Sequence, residues 1–213
     1  RREARAGYLF IAPSFLGFGV FVLGPLVAVA YFSLTRYDVL TAPQFAGVEN
    51  YRRLLSDTRL HSVYLNTLLY VAAAVILINA VALVLAVLLH QHMPRFLTLI
   101  FRSVYFFPSL VSLVYISIIW QALFQYDTGL VNYYLGQVGI DPQNWLNSTS
   151  LSRWTVIVVD VWRNVGFAML IFVAALQDVP KELEEAAQID GAGPFTTFRK
   201  IIMPMISQAI FFN

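Results

Sequence analysis

The stretch that decides the fold is residues 67–89, which read TLLYVAAAVILINAVALVLAVLL. It contains no Asp, Glu, Lys or Arg, and most of its residues are Ala, Val, Leu or Ile. A helix needs ~20 consecutive apolar residues to cross the hydrocarbon core of a bilayer, because it rises about 1.5 Å per residue. The stretch is therefore predicted to be a membrane-spanning helix.

The composition of the whole chain favours the same class of protein. Of its 213 residues, 59% are hydrophobic and 12% are charged, whereas soluble domains have roughly 45–50% and about 25%. This balance excludes a disordered chain and strongly disfavours a soluble domain. The net charge of +2 is too small to indicate nucleic acid as a partner. The absence of cysteine from the sequence excludes disulfides and thiolate metal sites.

Charged residues separate the remaining apolar sequence into segments of membrane-spanning length. Besides 67–89, the predicted spans are 8–33, 103–124, 154–176 and the incomplete 201–213. We predict an all-α, polytopic membrane protein whose residues 1–213 form one transmembrane domain, since helices satisfy their own backbone groups in lipid. The fifth segment is too short to complete a span, so we expect further spans beyond it.

The first segment has an alternative interpretation as a secretory signal, because Arg1, Arg2 and Arg5 precede an apolar run. That run is about twice as long as the core of a signal, which has roughly 7–15 residues. Pro13 and Pro25 within it are more typical of an irregular transmembrane helix.

Basic residues at the ends of the spans predict the orientation, since Lys and Arg resist translocation. A cytoplasmic N-terminus places eight Lys and Arg residues inside and five outside. Loops 36–62 and 127–153 then lie outside, and 177–200 lies inside. The expected outer aromatic belt consists of Tyr126, Tyr133, Tyr134, Trp145 and Trp154.

The inner segment 178–204 has the pattern of two short helices joined by a turn. Asp178 is predicted to cap the first helix, and Gly191 to close it in the left-handed conformation. A second helix is predicted to begin at Pro194 and to be interrupted before Pro204.

This inner segment also carries a motif. Glu185-Ala186-Ala187, three residues, Gly191, nine residues, Ile201, one residue, then Met203 and Pro204 resembles the EAA loop of binding-protein-dependent ABC importer permeases. Only Met203 departs from the family pattern, which has Leu there, and Met and Leu have similar volumes.

The resemblance covers essentially the whole chain. Residues 45–51, 129–132 and 166–177 are similar to the carbohydrate-uptake branch of this family. Residues 13–38 are similar to permeases of the maltose or glycerol-3-phosphate type. The resemblance implies the type I importer fold and a sugar or polyol substrate.

The partners follow from the same resemblance. Two permeases would form a heterodimeric pore in the bacterial inner membrane, and a solute-binding protein would deliver sugar from outside. ATP and Mg²⁺ would bind to a partner ATPase, so this chain is expected to be a non-catalytic subunit without a cofactor of its own. The residues expected to couple it to the ATPase are Glu184, Glu185, Ala186, Ala187, Asp190, Gly191, Ile201 and Pro204.

Polar residues inside the predicted spans are candidates for the substrate path. Asp160 and Arg163 lie three residues apart on one helix face, where they are expected to pair. Trp162 and Asn164 beside them are further candidates for sugar contact. The alternative is a structural pair near the outer interface. Asn79 is expected to make a hydrogen bond between helices.

The sequence also offers a possible metal site and a second class of transporter. His90 and His92 resemble a metal site only superficially, since neighbours two apart on a helix diverge and no carboxylate stands near them. An ion-gradient-driven secondary transporter would also use charges within a span, as Asp160 and Arg163 are. Dependence of transport on ATP hydrolysis separates that alternative from an ABC importer.

Overall fold

The computed structural model describes residues 2–90 and 93–213, and the chain divides into two compact units, residues 1–66 and 67–213. The elements of the first unit are α1 (Arg2–Phe18), a π-helical turn (Gly19–Leu23), α2 (Gly24–Ser33), β1 (Thr35–Arg36), β2 (Gln44–Phe45) and α3 (Glu49–Ser56). The two strands pair antiparallel, with Thr35 opposite Phe45 and Arg36 opposite Gln44.

A proline explains the π-helical turn between α1 and α2. Pro25 has no N–H to donate, and its ring would clash with the carbonyl of the residue four positions earlier. The helix widens just before it, so that the N–H of Gly24 donates to the carbonyl of Gly19, five residues back. Helical structure therefore continues through Pro25, and the stretch Arg5–Ser33 is long and apolar enough to cross a membrane.

The segment after this helix is held by the side chains of α3. Asn50 Nδ2 donates to the carbonyls of Ser33 and Thr35 at 2.9 and 2.8 Å. Glu49 forms ion pairs with Arg36 and Arg53. Hydrogen bonds from the guanidinium groups lower the pKa of Glu49, and the bond from Arg36 has a larger effect than the bond from Arg53. These contacts give residues 45–51 a structural role in closing the turn between α2 and α3.

The longest helix, α4 (Thr58–His90), begins in the first unit and continues into the second. The other elements of the second unit are α5 (Arg95–Leu110), α6 (Leu113–Leu123), α7 (Leu130–Gln137), α8 (Leu151–Gln177), α9 (Lys181–Ile189), α10 (Pro194–Thr197), a π-helical turn (Phe198–Ile202), α11 (Met203–Met205) and α12 (Ser207–Phe212).

Helix length and apolarity agree with three of the predicted spans. Arg5–Ser33, Thr58–His90 and Leu151–Gln177 are each long and apolar enough to cross a membrane. The prediction of one continuous helix over 103–124 is wrong, because α5 and α6 meet at 99°. Pro108 lies in the last turn of α5, and Val111 and Ser112 after it have extended backbone, so the helix stops and restarts.

The core of the second unit lies where α4, α8 and the C-terminal helices meet. Ala82 and Ala86 of α4 are fully buried, as are Met169 and Phe172 of α8. Ile206, between α11 and α12, is 1% exposed and belongs to the same cluster. The small side chains of Ala82 and Ala86 leave room in this cluster for the larger ones of Met169 and Phe172.

Helices α5 and α8 approach each other closely at Gly166 of α8. A Cβ at this position would lie 1.9 Å from the carbonyl oxygen of Tyr105 in α5 and 2.7 Å from the backbone nitrogen of Phe106. Both atoms belong to the backbone, so neither moves without shifting α5. Only glycine therefore permits this contact.

We expect Gly166→Ala to destabilise the protein by about 1–3 kcal/mol or more, since the new methyl group forces α5 away from α8. The measurement is unfolding by SDS titration in mixed micelles. Gly136→Ala in α7 is the matched control, because nothing lies within 4 Å of a Cβ there. Equal stability of the two variants would contradict the close contact.

Candidate functional site

The inner segment 178–204, which we call the EAA segment, begins immediately after α8. Its first helix, α9, does not have the predicted cap. Asp178 ends α8, its N–H donating to the carbonyl of Ala174 at 3.2 Å. The residue before α9 is Pro180, without a side-chain cap, so the prediction that Asp178 caps this helix is wrong. Glu182 and Glu184 lie in the first turn, where acidic side chains favour the positive end of the helix dipole.

The C-terminal end of α9 is closed as predicted. Gly191 has φ +79°, in the left-handed region. Its N–H donates to the carbonyl of Gln188 at 3.0 Å, and the N–H of Ala192 donates to that of Ala187 at 2.8 Å. These two bonds form a Schellman motif, which satisfies the last carbonyls of the helix and turns the chain sharply.

Most of α9 is uncovered within the described chain. Glu185, Ala186 and Asp190 are exposed, Glu184 is half-buried and only Ala187 is buried. Two large apolar side chains at the turn, Ile189 and Phe195, are 86% and 75% exposed. Helix α9 thus faces inward only at Ala187, and its other residues present a mixed apolar and acidic surface.

The second half of the motif supports the next helix instead of interrupting it. The prediction of a break before Pro204 is wrong, because α10 continues through the π-helical turn into α11. The N–H of Met203 donates to the carbonyl of Phe198, five residues back. This widening accommodates Pro204 as it does Pro25. Ile201 is half-buried within the turn, and Pro204 is exposed.

A second candidate site is a cavity of about 500 Å³ between α4, α6 and α8, which we call the polar cavity. It combines aromatic rings with hydroxyl, amide and charged groups. Its lining residues include Tyr70, Ser117, Trp120, Gln121, Phe124, Leu146, Thr155, Asp160 and Arg163. Such a mixture is typical of sites that orient a small polar ligand.

Two of the four residues predicted for the substrate path line this cavity, namely Asp160 and Arg163. Trp162 faces an apolar groove instead, and its ring meets Trp120 edge-on at 5.3 Å between centroids. Asn164 anchors Asp160, donating from Nδ2 to its carboxylate at 2.7 Å and to its backbone carbonyl at 3.0 Å.

The predicted ion pair between Asp160 and Arg163 is wrong. Among the described residues, no ion pair joins Asp160 to Arg163. The carboxylate of Asp160 instead accepts a hydrogen bond from Asn164. The Nε atom of Arg163 is buried and has no hydrogen-bond partner among the described residues.

The other polar candidates play no part in this cavity. Asn79 Nδ2 donates to the carbonyl of Val75 in its own helix at 3.0 Å, so the predicted bond between helices is not made. His92 lies outside the described residues. Among the residues that the structure does describe, no three His, Asp or Glu side chains cluster as metal ligands would.

Sequence reasoning missed the α6 side of the cavity, namely Ser117, Trp120, Gln121 and Phe124. Trp120 and Gln121 lie three and four residues after Ser117, and Phe124 lies four and three residues after them, which places all four on one helix face. A polar and aromatic stripe along an otherwise apolar helix was the available signal. It was hidden because 103–124 was treated as one uniform span.

Comparison with known proteins identifies the class of protein. The model of a family described as "Binding-protein-dependent transport system inner membrane component" matches residues 78–213. The chain belongs to this family of permease components, and the resemblance stated from the sequence is confirmed. The match begins within α4 and includes the cavity walls of α6 and α8 as well as the EAA segment.

Relatives extend the similarity to the whole chain. A Bacillus subtilis (strain 168) protein, "Probable ABC transporter permease protein YesP", is 36% identical and matches 100% of this chain and 69% of its own length. The "Arabinooligosaccharides transport system permease protein AraP" of the same organism is 37% identical and matches 94% and 64%. The chain thus spans about two thirds of these relatives.

The fold is that of a solved importer. A "bacterial alginate ABC transporter in complex with alginate pentasaccharide-bound periplasmic protein" aligns with a TM-score of 0.86 at 20% identity. The alignment covers 98% of this chain and 69% of that one. The all-α ABC importer permease fold predicted from the sequence is confirmed.

The contacts of Asp160 predict which neighbouring side chain is coupled to it in the free energy of unfolding. In a double-mutant cycle, Asn164→Ala and Asp160→Ala should show a coupling of about 1 kcal/mol, because both remove the hydrogen bond between Asn164 Nδ2 and the Asp160 carboxylate. Unfolding in mixed micelles measures it. The matched cycle of Asp160→Ala with Arg163→Met should give a smaller value. A larger coupling energy between Asp160 and Arg163 would support the predicted ion pair and contradict the contacts seen in the structure.

Proposed function

We propose that this chain is one of two permease subunits of an ATP-driven, binding-protein-dependent importer for a saccharide or a related polyol. The observation that carries the proposal is the exposed helix α9, which presents Glu185 and Ala186 and is closed at Gly191. A short helix that ends in a fixed turn is suited to fit a groove on another protein, because little freedom is lost on docking.

The partner on this surface would be an ABC ATPase subunit that binds ATP and Mg²⁺ and supplies the energy. Ala186 is small enough for close approach, and Ile189 and Phe195 offer apolar area beside it. Glu185 and Asp190 would give polar contacts at the rim. The other residues that are expected to couple the chain to the ATPase would act indirectly, by maintaining the shape of the hairpin; they are Glu184, Ala187, Ile201 and Pro204.

The polar cavity would form this subunit's share of the translocation path. Sugars combine hydroxyl groups with apolar ring faces, and the cavity offers both complements: Trp120 and Tyr70 as rings, Gln121 and Asp160 as hydrogen-bonding groups. In this proposal Trp162 and Asn164 position Trp120 and Asp160 and do not touch sugar. The relative named for arabinooligosaccharides and the alginate importer support a saccharide as substrate.

Two further parts of the proposal concern assembly and orientation. A second permease would complete the pore, and an extracytoplasmic solute-binding protein would release sugar to it. The N-terminus would lie in the cytoplasm, which places α9 on the same side of the membrane as ATP. The chain itself would catalyse no reaction.

Uptake into proteoliposomes tests the energy source. Purified transporter with its ATPase, second permease and binding protein should accumulate radiolabelled arabinotriose or maltotriose only when ATP is enclosed. Ionophores that collapse proton and sodium gradients should have no effect. Uptake that fails without an ion gradient and ignores ATP would favour the secondary transporter.

The hairpin geometry predicts a separate defect in coupling. Gly191→Asp should leave the subunit folded, because a left-handed residue with a side chain costs roughly 1–2 kcal/mol and no atom lies within 4 Å of its Cβ. It should turn α9 away from its groove, reduce copurification of the ATPase and abolish sugar-stimulated ATP hydrolysis.

Two variants make this test specific. Gly193→Asp is the matched control, since Gly193 has φ −71° and equally open space. Glu185→Ala should weaken ATPase binding without bending the backbone, and so give a milder loss. Full coupling in Gly191→Asp would mean that the hairpin only connects two helices.

A further inference from the structure

A second cavity adjoins the polar cavity beyond the end of α6, and its volume is about 610 Å³. Both volumes lie within the roughly 300–1,000 Å³ of small-molecule sites. We call this one the amide pocket, after the carboxamides in its wall. Its lining includes Ala122, Phe124, Tyr126 and Leu146 and the polar residues Gln121, Gln125, Asp127, Asn144 and Asn147.

The wall of the amide pocket is held in place by a buried asparagine. Asn132 is 5% exposed, and its amide forms four hydrogen bonds. Nδ2 donates to the carbonyls of Tyr126 and Gln143 at 3.0 and 2.9 Å, while Oδ1 accepts from the N–H of Gln143 at 3.1 Å and from Trp145 Nε1 at 2.8 Å. The residues on both sides of Asn144 are thereby fixed.

Trp145 extends this support to the polar cavity. Predicted for the aromatic belt, it is half-buried and packs against Phe124 with 5.6 Å between ring centroids. Its carbonyl accepts from Thr155 Oγ1 of α8 at 3.1 Å. The pocket is therefore formed without a ligand, which lowers the entropy lost on binding.

The hydrogen-bonding groups of the pocket suit hydroxyl groups. Gln125 Oε1 accepts from Thr128 at 2.9 Å, and Asn144 Oδ1 accepts from the N–H of Asn147 at 3.2 Å. Their amino groups have no partner among the described residues and are available as donors. The carboxylate of Asp127 adds acceptors, and Phe124 and Tyr126 offer ring faces. Hydroxyl groups both donate and accept, so this set matches a sugar.

The charge of the wall discriminates between kinds of sugar. Asp127 is the charged member of the lining, and no Lys or Arg belongs to it. A uronic acid residue would bring a second carboxylate beside that of Asp127 with no cation in the wall to compensate. Like charges in a partly desolvated pocket repel. The pocket should therefore favour neutral saccharides.

The two cavities are neighbours, since Gln121, Phe124 and Leu146 belong to both walls. We propose that the amide pocket is a second saccharide subsite, which holds one end of a neutral oligosaccharide while the other end occupies the polar cavity. The inference rests on the proposed function and extends it to a substrate class, namely neutral saccharides of more than one ring.

Thiol protection tests the subsite directly, because the sequence has no cysteine. Ala122→Cys places a single thiol in the wall of the pocket, and Gln137→Cys places an exposed control on α7, outside the pocket lining. The assembled transporter in nanodiscs is treated with N-ethylmaleimide, and the mass of this chain gives the labelling rate. The probes are arabinotriose, maltotriose, arabinose and a mannuronate trisaccharide.

At a concentration about ten times Kd, a neutral trisaccharide should slow labelling of the Ala122→Cys thiol about tenfold. Arabinose and the mannuronate trisaccharide should protect much less, and the Gln137→Cys thiol should react equally in all samples. Adding Gln125→Ala to Ala122→Cys should remove the protection, whereas adding Gln137→Ala should preserve it.

Protection by neither neutral trisaccharide would overturn the subsite, whatever the uptake assay finds. Equal protection by the mannuronate trisaccharide would overturn the preference for neutral sugars. Equal protection by arabinose would overturn the requirement for more than one ring. Protection without ATP-driven uptake would instead overturn the proposed import function and leave the subsite in place. The two failures are thus distinguishable.

Discussion

The larger unit depends on how closely α5 approaches α8 at Gly166. With the backbone of Tyr105 against that glycine, the chain leaves α5, turns by 99° and returns along α6. It then meets α8 a second time, where Trp120 contacts Trp162. Trp162 and Gly166 are four residues apart, hence on one face of α8. These two contacts fix α6 opposite α8, and the polar cavity is the space left between them. A bulkier residue at 166 would displace the cavity wall as well as the helix pair.

Proline acts in two different ways in this chain, and the neighbouring backbone decides which. At Pro25 and Pro204 the preceding turn widens to i→i+5 hydrogen bonds, and the helix continues. At Pro108, in the last turn of α5, Val111 and Ser112 are extended and the helix ends. Lipid contains no donor for a freed carbonyl, which favours the widened turn inside a span. Pro108 is itself buried, whereas Val111 and Ser112 at the break are half-buried and exposed.

Sequence reasoning succeeded where one local rule decides the outcome and failed where two rules compete. The uninterrupted apolar run 67–89 is compatible only with a membrane-spanning helix. Gly191 directly follows the last residues of α9, where a glycine favours the left-handed turn that ends a helix. For Asp160, spacing along the helix favoured Arg163, but Asn164 supplies the better-placed donor. Tyr70 of α4, which lines the polar cavity together with Asp160, is ninety positions away in sequence, so no pattern within α8 reveals it. The amide pocket was missed for the same reason, as Asn132 joins residues on both sides of a loop whose path depends on tertiary contacts.

Under the proposed function, a short connection with one buried residue links the ATPase surface to the sugar path. Val179, between α8 and α9, is 7% exposed and packs in the same cluster as Leu176 and Ile206. A rotation of α9 therefore moves the end of α8 instead of being absorbed by a flexible loop. Helix α8 runs unbroken from its end at Gln177 to Asp160, ~26 Å along its axis at about 1.5 Å per residue. A rigid helix anchored at Val179 and carrying one wall of the polar cavity converts a small movement at the ATPase into a change in cavity width.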